Sequence, residues 1–359
     1  MLQRRPHLPV VSNQLPYQLL GRLYDPFVIN STSVAHAAVA EASTHTQLSN
    51  VKNFISHWKL DHTLMTMANE SIKQEMANES IKNGVLIVNT IPVLTSLLEG
   101  LSKLPLKPAS LYVDLEGVNL GRLGPVSILS LYVLPQKVTY LIDIHTLGHS
   151  AFTAQNENGD SLKFILEHAK MPKVFFDIRN DSAALFHQHQ IKINGVKDIQ
   201  LMELATRTGG KEYLADLEEC IETTAPASEN EKIEWRYLKD RVTRLYEPAH
   251  GGSSKVFNER PMRPEVAQYC AQNVVLLPAL WSVYEPKLRG SSGSFWRSQL
   301  HSAIKERIQQ SQAINYDGNV KDKARGPWAD IEYQRELWNE DVLDAAMNGE
   351  VIYSDTVDV

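Results

Sequence analysis

Leu111-Tyr112-Val113-Asp114-Leu115-Glu116-Gly117 is the stretch on which the fold turns. An apolar triplet with strand character runs into two acids separated by one leucine. Side chains on a strand alternate between faces, so Asp114 and Glu116 share one face and Leu115 takes the other. Adjacent carboxylates repel and raise each other's pKa unless a cation neutralises them, and oxygen ligands suit Mg²⁺ or Mn²⁺. Taken alone, Asp-x-Glu on a strand reads as two solvated acids.

Working outward, residues 127–134 and 138–144 read as two more strands. The short link at 134–137 makes an antiparallel meander with 111–113. Upstream, Val85-Leu86-Ile87-Val88 is a short apolar run, and Pro92 opens a helix with Leu94, Leu97, Leu98 and Leu101 on one side. Downstream, 162–168 reads as a helix and 173–178 as a strand, and 181–189 reads as a helix capped by Asn180 or Asp181. Residues 199–201 supply a fifth strand, 222–234 a polar loop, and a helix runs from Pro264 to about Tyr284. Strands first and then alternating helix and strand predict a mixed α/β sheet.

The 359 residues are 43% hydrophobic and 22% charged, a balance that excludes a disordered chain, a collagen and a coiled-coil rod. Lys and Arg number 36 against 42 Asp and Glu, a net charge of −6, so any grip on nucleic acid must be local. Two cysteines, Cys220 and Cys270, build no disulfide framework and point to an intracellular compartment, cytoplasmic or nuclear. Residues 1–24 contain Arg4, Arg5 and Arg22 and no acid, a mitochondrial-leader bias that Pro6, Pro9 and Pro16 interrupt. No apolar stretch approaches the ~18 residues needed to span a bilayer, so no membrane partner is expected.

Three regions follow. Residues 1–83 form an N-terminal extension, in which MANESIK at 67–73 returns at 76–82 as a duplicated helical segment. Residues 84–290 form the compact domain, and 291–359 a C-terminal extension ending in an acidic, solvated tail from 330.

Beyond Asp114 and Glu116, three places carry chemistry. Asp181 begins a helix directly after a strand, the edge where α/β sheets collect ligands. Tyr269 and Asn273 stand four apart on one helix and share a face. The Gly251-Gly252-Ser253 stretch reads as a flexible connection rather than a phosphate loop. Lys173, Arg179, Arg207 and Lys211 are candidates to line a phosphate path. Lys232, Arg236, Lys239, Arg241 and Arg244 read as a solvated helix face, with strand binding as the alternative. Asp143 and His145 read as structural.

The order of these signals resembles the DEDD superfamily of 3′–5′ exonucleases, in the ribonuclease D-like branch with Tyr in the third motif. It is most similar to the fungal-type proteins that carry this domain. The resemblance rests on LYVDLEGVNLGRLGPVSIL, YLIDIHTLG, KVFFDIRNDSAALFHQHQI, GVKDIQLMELATR, GGSSKVFNERP and YCAQNVVLLPALWSVY, spanning about 84–290. KDKARGPW at 321–328 is similar to the tail that follows the domain in those relatives.

This resemblance implies a ribonuclease H-like, mixed five-stranded sheet flanked by helices. It implies 3′–5′ hydrolysis of single-stranded RNA or DNA ends with two Mg²⁺ or Mn²⁺ ions. It places Asp114 and Glu116 on the first motif, Asp181 on the second, and Tyr269 on the third, orienting the attacking water. The fourth acid of the pattern falls at 273, where this chain has Asn273. Asparagine keeps one acceptor oxygen but loses a full charge, so one ion is held less firmly. Asp177 and Asp198 compensate only if the fold turns them inward. The alternatives are a degenerate exonuclease fold that binds nucleic acid or a protein partner, and an interaction module using the acidic tail.

Overall fold

The computed structural model of this protein describes residues 84–349 except 319. The leader, the duplicated segment and the end of the acidic tail lie outside the described residues. Six strands form one sheet in the order β1 (Val85–Val88), β4 (Val138–Ile142), β3 (Val126–Val133), β2 (Leu111–Gly117), β5 (Lys173–Phe175) and β6 (Val196–Asp198). β2, β3 and β4 make the expected antiparallel meander, with Leu111 opposite Val133 and Val133 opposite Val138. β1 pairs parallel with β4, and β5 lies parallel between β2 and β6.

The sheet is therefore mixed and α/β, but it has six strands rather than five. The added strand is Val85–Val88, a four-residue apolar run too short for periodicity to type; its pairing with β4 decides it. The expected strand at 199–201 is a helix. Asp198 ends β6 and accepts hydrogen bonds from the Gln200 and Leu201 amides at 3.1 and 3.4 Å, so it caps the next element instead of extending the strand.

Besides two four-residue turns of helix at Ile144–Leu147 and Ser150–Thr153, the helices are α1 (Ile91–Leu101), α2 (Leu162–Glu167), α3 (Arg179–His189), α4 (Ile199–Thr206), α5 (Leu217–Thr224), α6 (Glu229–Tyr246), α7 (Pro264–Val275), α8 (Leu277–Tyr284), α9 (Ser294–Ser311) and α10 (Ile331–Met347). Three expectations change here. The helix from Pro264 breaks at Leu276, because Pro278 has no N–H to continue the ladder. The polar loop at 222–234 shrinks to 225–228, since Ser228 and Glu231 form a reciprocal capping box that starts α6. Part of the acidic tail folds as α10. No helix among the described residues is long and apolar enough to cross a membrane.

Packing places the acids. Val113 and Leu115 of β2 point into a core with Leu94, Leu98 and Leu101 of α1 and Leu185 of α3. On the opposite face, Ile128 and Leu141 pack against Val266, Tyr269 and Cys270 of α7, backed by Val242 of α6 and Phe257. Tyr112 joins a further core with α4, α8, α9 and Trp328. Asp114 and Glu116 therefore face α7.

Candidate active site

Asp114 and Glu116 are half-buried, while Val113 and Leu115 beside them are 1% and 2% exposed. β2 pairs with β5 only through Leu111 and Tyr112, so its acidic half runs past the end of β5. The chain leaving β5 crosses that open edge, turning at Asp177 with φ +59°. α3 then begins at Arg179, with no side-chain cap at Ile178. Asp181 is thus not a cap, as expected from the sequence, but a first-turn residue only 7% exposed. The helix N-terminus favours its charged form.

From the other side, α7 presents Tyr269 and Asn273 one turn apart. The Asn273 Nδ2 donates to Asp114 Oδ2 and to Glu116 Oε1, both at 3.2 Å. The Tyr269 hydroxyl favours the charged form of Glu116. It also lies 3.4 Å from the hydroxyl of Tyr246, and the rings of Tyr246 and Phe257 stand 5.9 and 6.3 Å from that of Tyr269. Tyr246 and Phe257 were not anticipated. One lies in the stretch read as a solvated face and the other in the segment read as a flexible connection, and neither has a spacing tied to Tyr269. That connection is in fact ordered: Ser127 Oγ donates to Asn258 Oδ1 at 2.6 Å, and Ser253 caps a turn at Ser254–Asn258.

Three of the five residues singled out in the sequence meet through hydrogen bonds, and Tyr269 and Asp181 couple to the same acids electrostatically. Burial pushes Asp114 up to about 6, with the Asn273 amide pulling the other way. Burial, and then repulsion from Asp114, hold Glu116 well above the usual carboxylate range. Asp181 is raised by burial and by the charges of Asp114, Asp177 and Glu116, and Lys323 opposes this.

Neither compensating acid is available. Burial would raise Asp177, but Arg179 at 2.6 Å, Arg307 and Lys323 hold it at about 2. Asp198 is fully buried, bonded to Arg307 at 2.6 Å and to the Asp177 and Ile178 amides. The phosphate path is also overturned. Lys173 is buried and donates to the Ile165 and His168 carbonyls, Arg179 pairs with Asp177, Arg207 with Glu203, and Lys211 donates to the Leu204 and Arg207 carbonyls. Asp143 is structural as expected, capping a turn and pairing with Arg260 at 2.5 Å.

Among the described residues no group of three or more His, Cys, Asp or Glu stands so that it could hold a metal ion. The donor set nonetheless suits a hard cation: three carboxylates in mutual repulsion, with oxygen ligands only. Holding one divalent ion would require the three to draw closer than they stand here. A second ion would rely on Asn273, whose amide here turns its N–H groups toward the acids.

With this geometry in hand, comparison with known proteins is direct. A sequence model described as 3′–5′ exonuclease matches residues 86–289, more than half of the chain. The chain belongs to the 3′–5′ exonuclease family. Within this exonuclease region lie the two acids of β2, Asp181 and the Tyr269–Asn273 pair. A mouse relative, piRNA biogenesis protein EXD1, is 32% identical over 180 residues, covering 48% of this chain and 28% of its own length. The chain therefore spans less than a third of that relative. Among solved structures, Trypanosoma brucei RNase D in complex with GMP superposes with a TM-score of 0.53 at 17% identity, covering 68% of this chain and 70% of that one. Its complex with RNA U12 gives 0.50 at 17% identity, over 64% and 70%. At such identity these structures establish the exonuclease fold.

Proposed function

We propose that this protein is a metal-dependent 3′–5′ exonuclease acting on single-stranded RNA or DNA ends, slowed by Asn273. The observation that carries this reading is the gathering of Asp114, Glu116 and Asp181 beside Tyr269: burial raises all three pKa values, and repulsion between the acids adds to this for Glu116 and Asp181. Perturbed acids packed together mark functional sites because charge repulsion is not tolerated without a use. Trypanosoma brucei RNase D, which shares the fold, was solved with GMP and with RNA U12, supporting a nucleotide chain as the substrate class.

In this reading Asp114, Glu116 and Asp181 hold a divalent ion, Mg²⁺ or Mn²⁺. Such an ion supplies a hydroxide-like nucleophile and positive charge for the departing 3′ oxygen. Tyr269, steadied by Tyr246 and Phe257, orients the attacking water. Asn273 keeps Asp114 and Glu116 aligned through its amide, without the charge that would hold a second ion.

One observation favours a second reading, a nucleic-acid-binding relative that does not cut: the Asn273 amide occupies both acids of β2 at 3.2 Å. The test is a 5′-labelled single strand incubated with Mn²⁺ and each of three proteins. The native chain shortens it from the 3′ end, Asn273→Asp does so on the order of 10–100-fold faster, and Asp114→Ala not at all. Shortening by Asn273→Asp alone establishes the second reading. Shortening by none of them rejects the enzyme.

A further inference from the structure

A cavity of about 600 Å³ opens between the ends of the first two motifs. One wall is the 118–125 loop that follows Glu116 and Gly117, and another is Asn180, next to Asp181. The third wall, residues 315–318, lies beyond the part of the chain matched as exonuclease. The volume suits one or two nucleotides.

The walls are built rather than loose. Gln188 of α3 donates to the Gly124 carbonyl at 2.7 Å and reaches the Arg122 carbonyl at 3.4 Å, tying the loop to the second motif. Asn119 bonds Ser254 through both its amide and its side chain. The Tyr316 hydroxyl donates to Asn180 Oδ1 at 2.8 Å. Gly318 lies so close to that carboxamide that a Cβ would meet Oδ1 at 2.1 Å, so any other residue there would displace the Asn180 side chain.

The lining chemistry selects a ligand. Asn119, Asn180 and Asn315 are carboxamides; the oxygens of the first two already accept from Ser254 and Tyr316, which aims their N–H donors, and Asn315 adds a third carboxamide for a base edge. Tyr316 adds an aromatic ring, and Leu123, 79% exposed, adds apolar surface for a base face. Asp317 disfavours a bare phosphate. Arg122 is the one cation among the lining residues, and its Nε is buried without a hydrogen-bond partner, a donor still waiting for an acceptor.

We infer that this cavity binds the terminal nucleoside of a strand, and that Asn315 and Tyr316, contributed from outside the exonuclease region, read its base. This rests on the exonuclease reading of the adjacent acids. The shared chemistry is a nucleoside with one phosphate, which either a strand end or a free mononucleotide supplies.

The test uses the full chain with Ca²⁺ and a 5′-labelled decauridylate, read by fluorescence anisotropy, beside the same strand with an abasic 3′-terminal residue. UMP and GMP serve as competitors. The native protein prefers the complete end by about tenfold. Asn315→Ala and Tyr316→Ala bring that preference within about twofold, while affinity for the abasic strand is unchanged. Displacement by UMP or GMP shows that the mononucleotide suffices; without displacement, the preference assigns the pocket to strand ends. If the decauridylate binds but its terminal base or the two substitutions make no difference, the pocket inference is wrong and the exonuclease reading stands. If no strand binds, both fall.

Discussion

Asn273 is the side chain on which the chemistry turns, because it meets two acids of β2 at once. Replacing it with Asp sets a fourth carboxylate where an amide now donates to both. In EDTA the Asn273→Asp protein should be less stable by on the order of 1–3 kcal/mol, through lost hydrogen bonds and added repulsion. Mn²⁺ should raise its Tm more than that of the native chain. Thermal unfolding with and without metal checks both signs; equal metal shifts would mean the site takes no ion through 273. Asp177 carries the second residue-scale prediction. Its carboxyl stands at about 2 in the folded protein, below its ordinary value of 3.8. A lowered pKa means that the folded state prefers the anion. The stabilisation is therefore complete above pH ~4 and is lost as pH falls through ~2, amounting to about 2 kcal/mol. Asp177→Asn should flatten that loss in urea titrations at pH 3 and pH 6. The shared faces of Asp114 with Glu116 and of Tyr269 with Asn273 were legible in the sequence, because alternation and helical spacing set them. Asp177 was not, because two of the three cations that hold it, Arg307 of α9 and Lys323, lie more than a hundred residues away, and only Arg179 is a sequence neighbour.

At the scale of elements, the meander and α7 were readable because each signals itself locally: a tight link between apolar runs, and a proline opening a periodic stretch. β1 was not, since four residues carry no period and only its partner β4 defines it. The basic stretch of α6 shows how neighbours change a reading. Lys239 pairs with Glu218 at 2.6 Å, Arg236 with Glu222 at 3.5 Å, and Lys232 donates to the Glu222 carbonyl at 2.9 Å. Their partners belong to α5, so these charges hold two helices together rather than await a strand. The double variant Arg236→Ala, Lys239→Ala should cost about 0.5–1 kcal/mol per pair, because both pairs are partly exposed. It should leave the salt dependence of oligonucleotide binding unchanged. A log–log slope lowered by about one per residue would mark them as phosphate contacts instead.

For the whole molecule, the question is what makes a folded unit, and α9 answers it. This helix begins at Ser294, after the exonuclease match ends at 289. From it Arg307, 6% exposed, donates to Asp198 Oδ2 at 2.6 Å and to Gln200 Oε1 at 2.9 Å. Asp198 in turn accepts from the Asp177 and Ile178 amides, at the turn that delivers Asp181 to the site. Trp328, 1% exposed, stacks edge-on against Trp296 of α9 at 5.2 Å and seals the same flank. The second motif is therefore braced from outside the region that family comparison recognises. Removing Arg307 strands a buried carboxylate with no cation, a defect that costs on the order of 3–5 kcal/mol. Arg307→Met should lower the unfolding free energy measured in urea by that amount. A chain ended after residue 290 loses α9 altogether and should show no cooperative transition by far-UV circular dichroism. A cooperative transition in the shortened chain, at the native midpoint, would show that the exonuclease region holds Asp181 in place unaided.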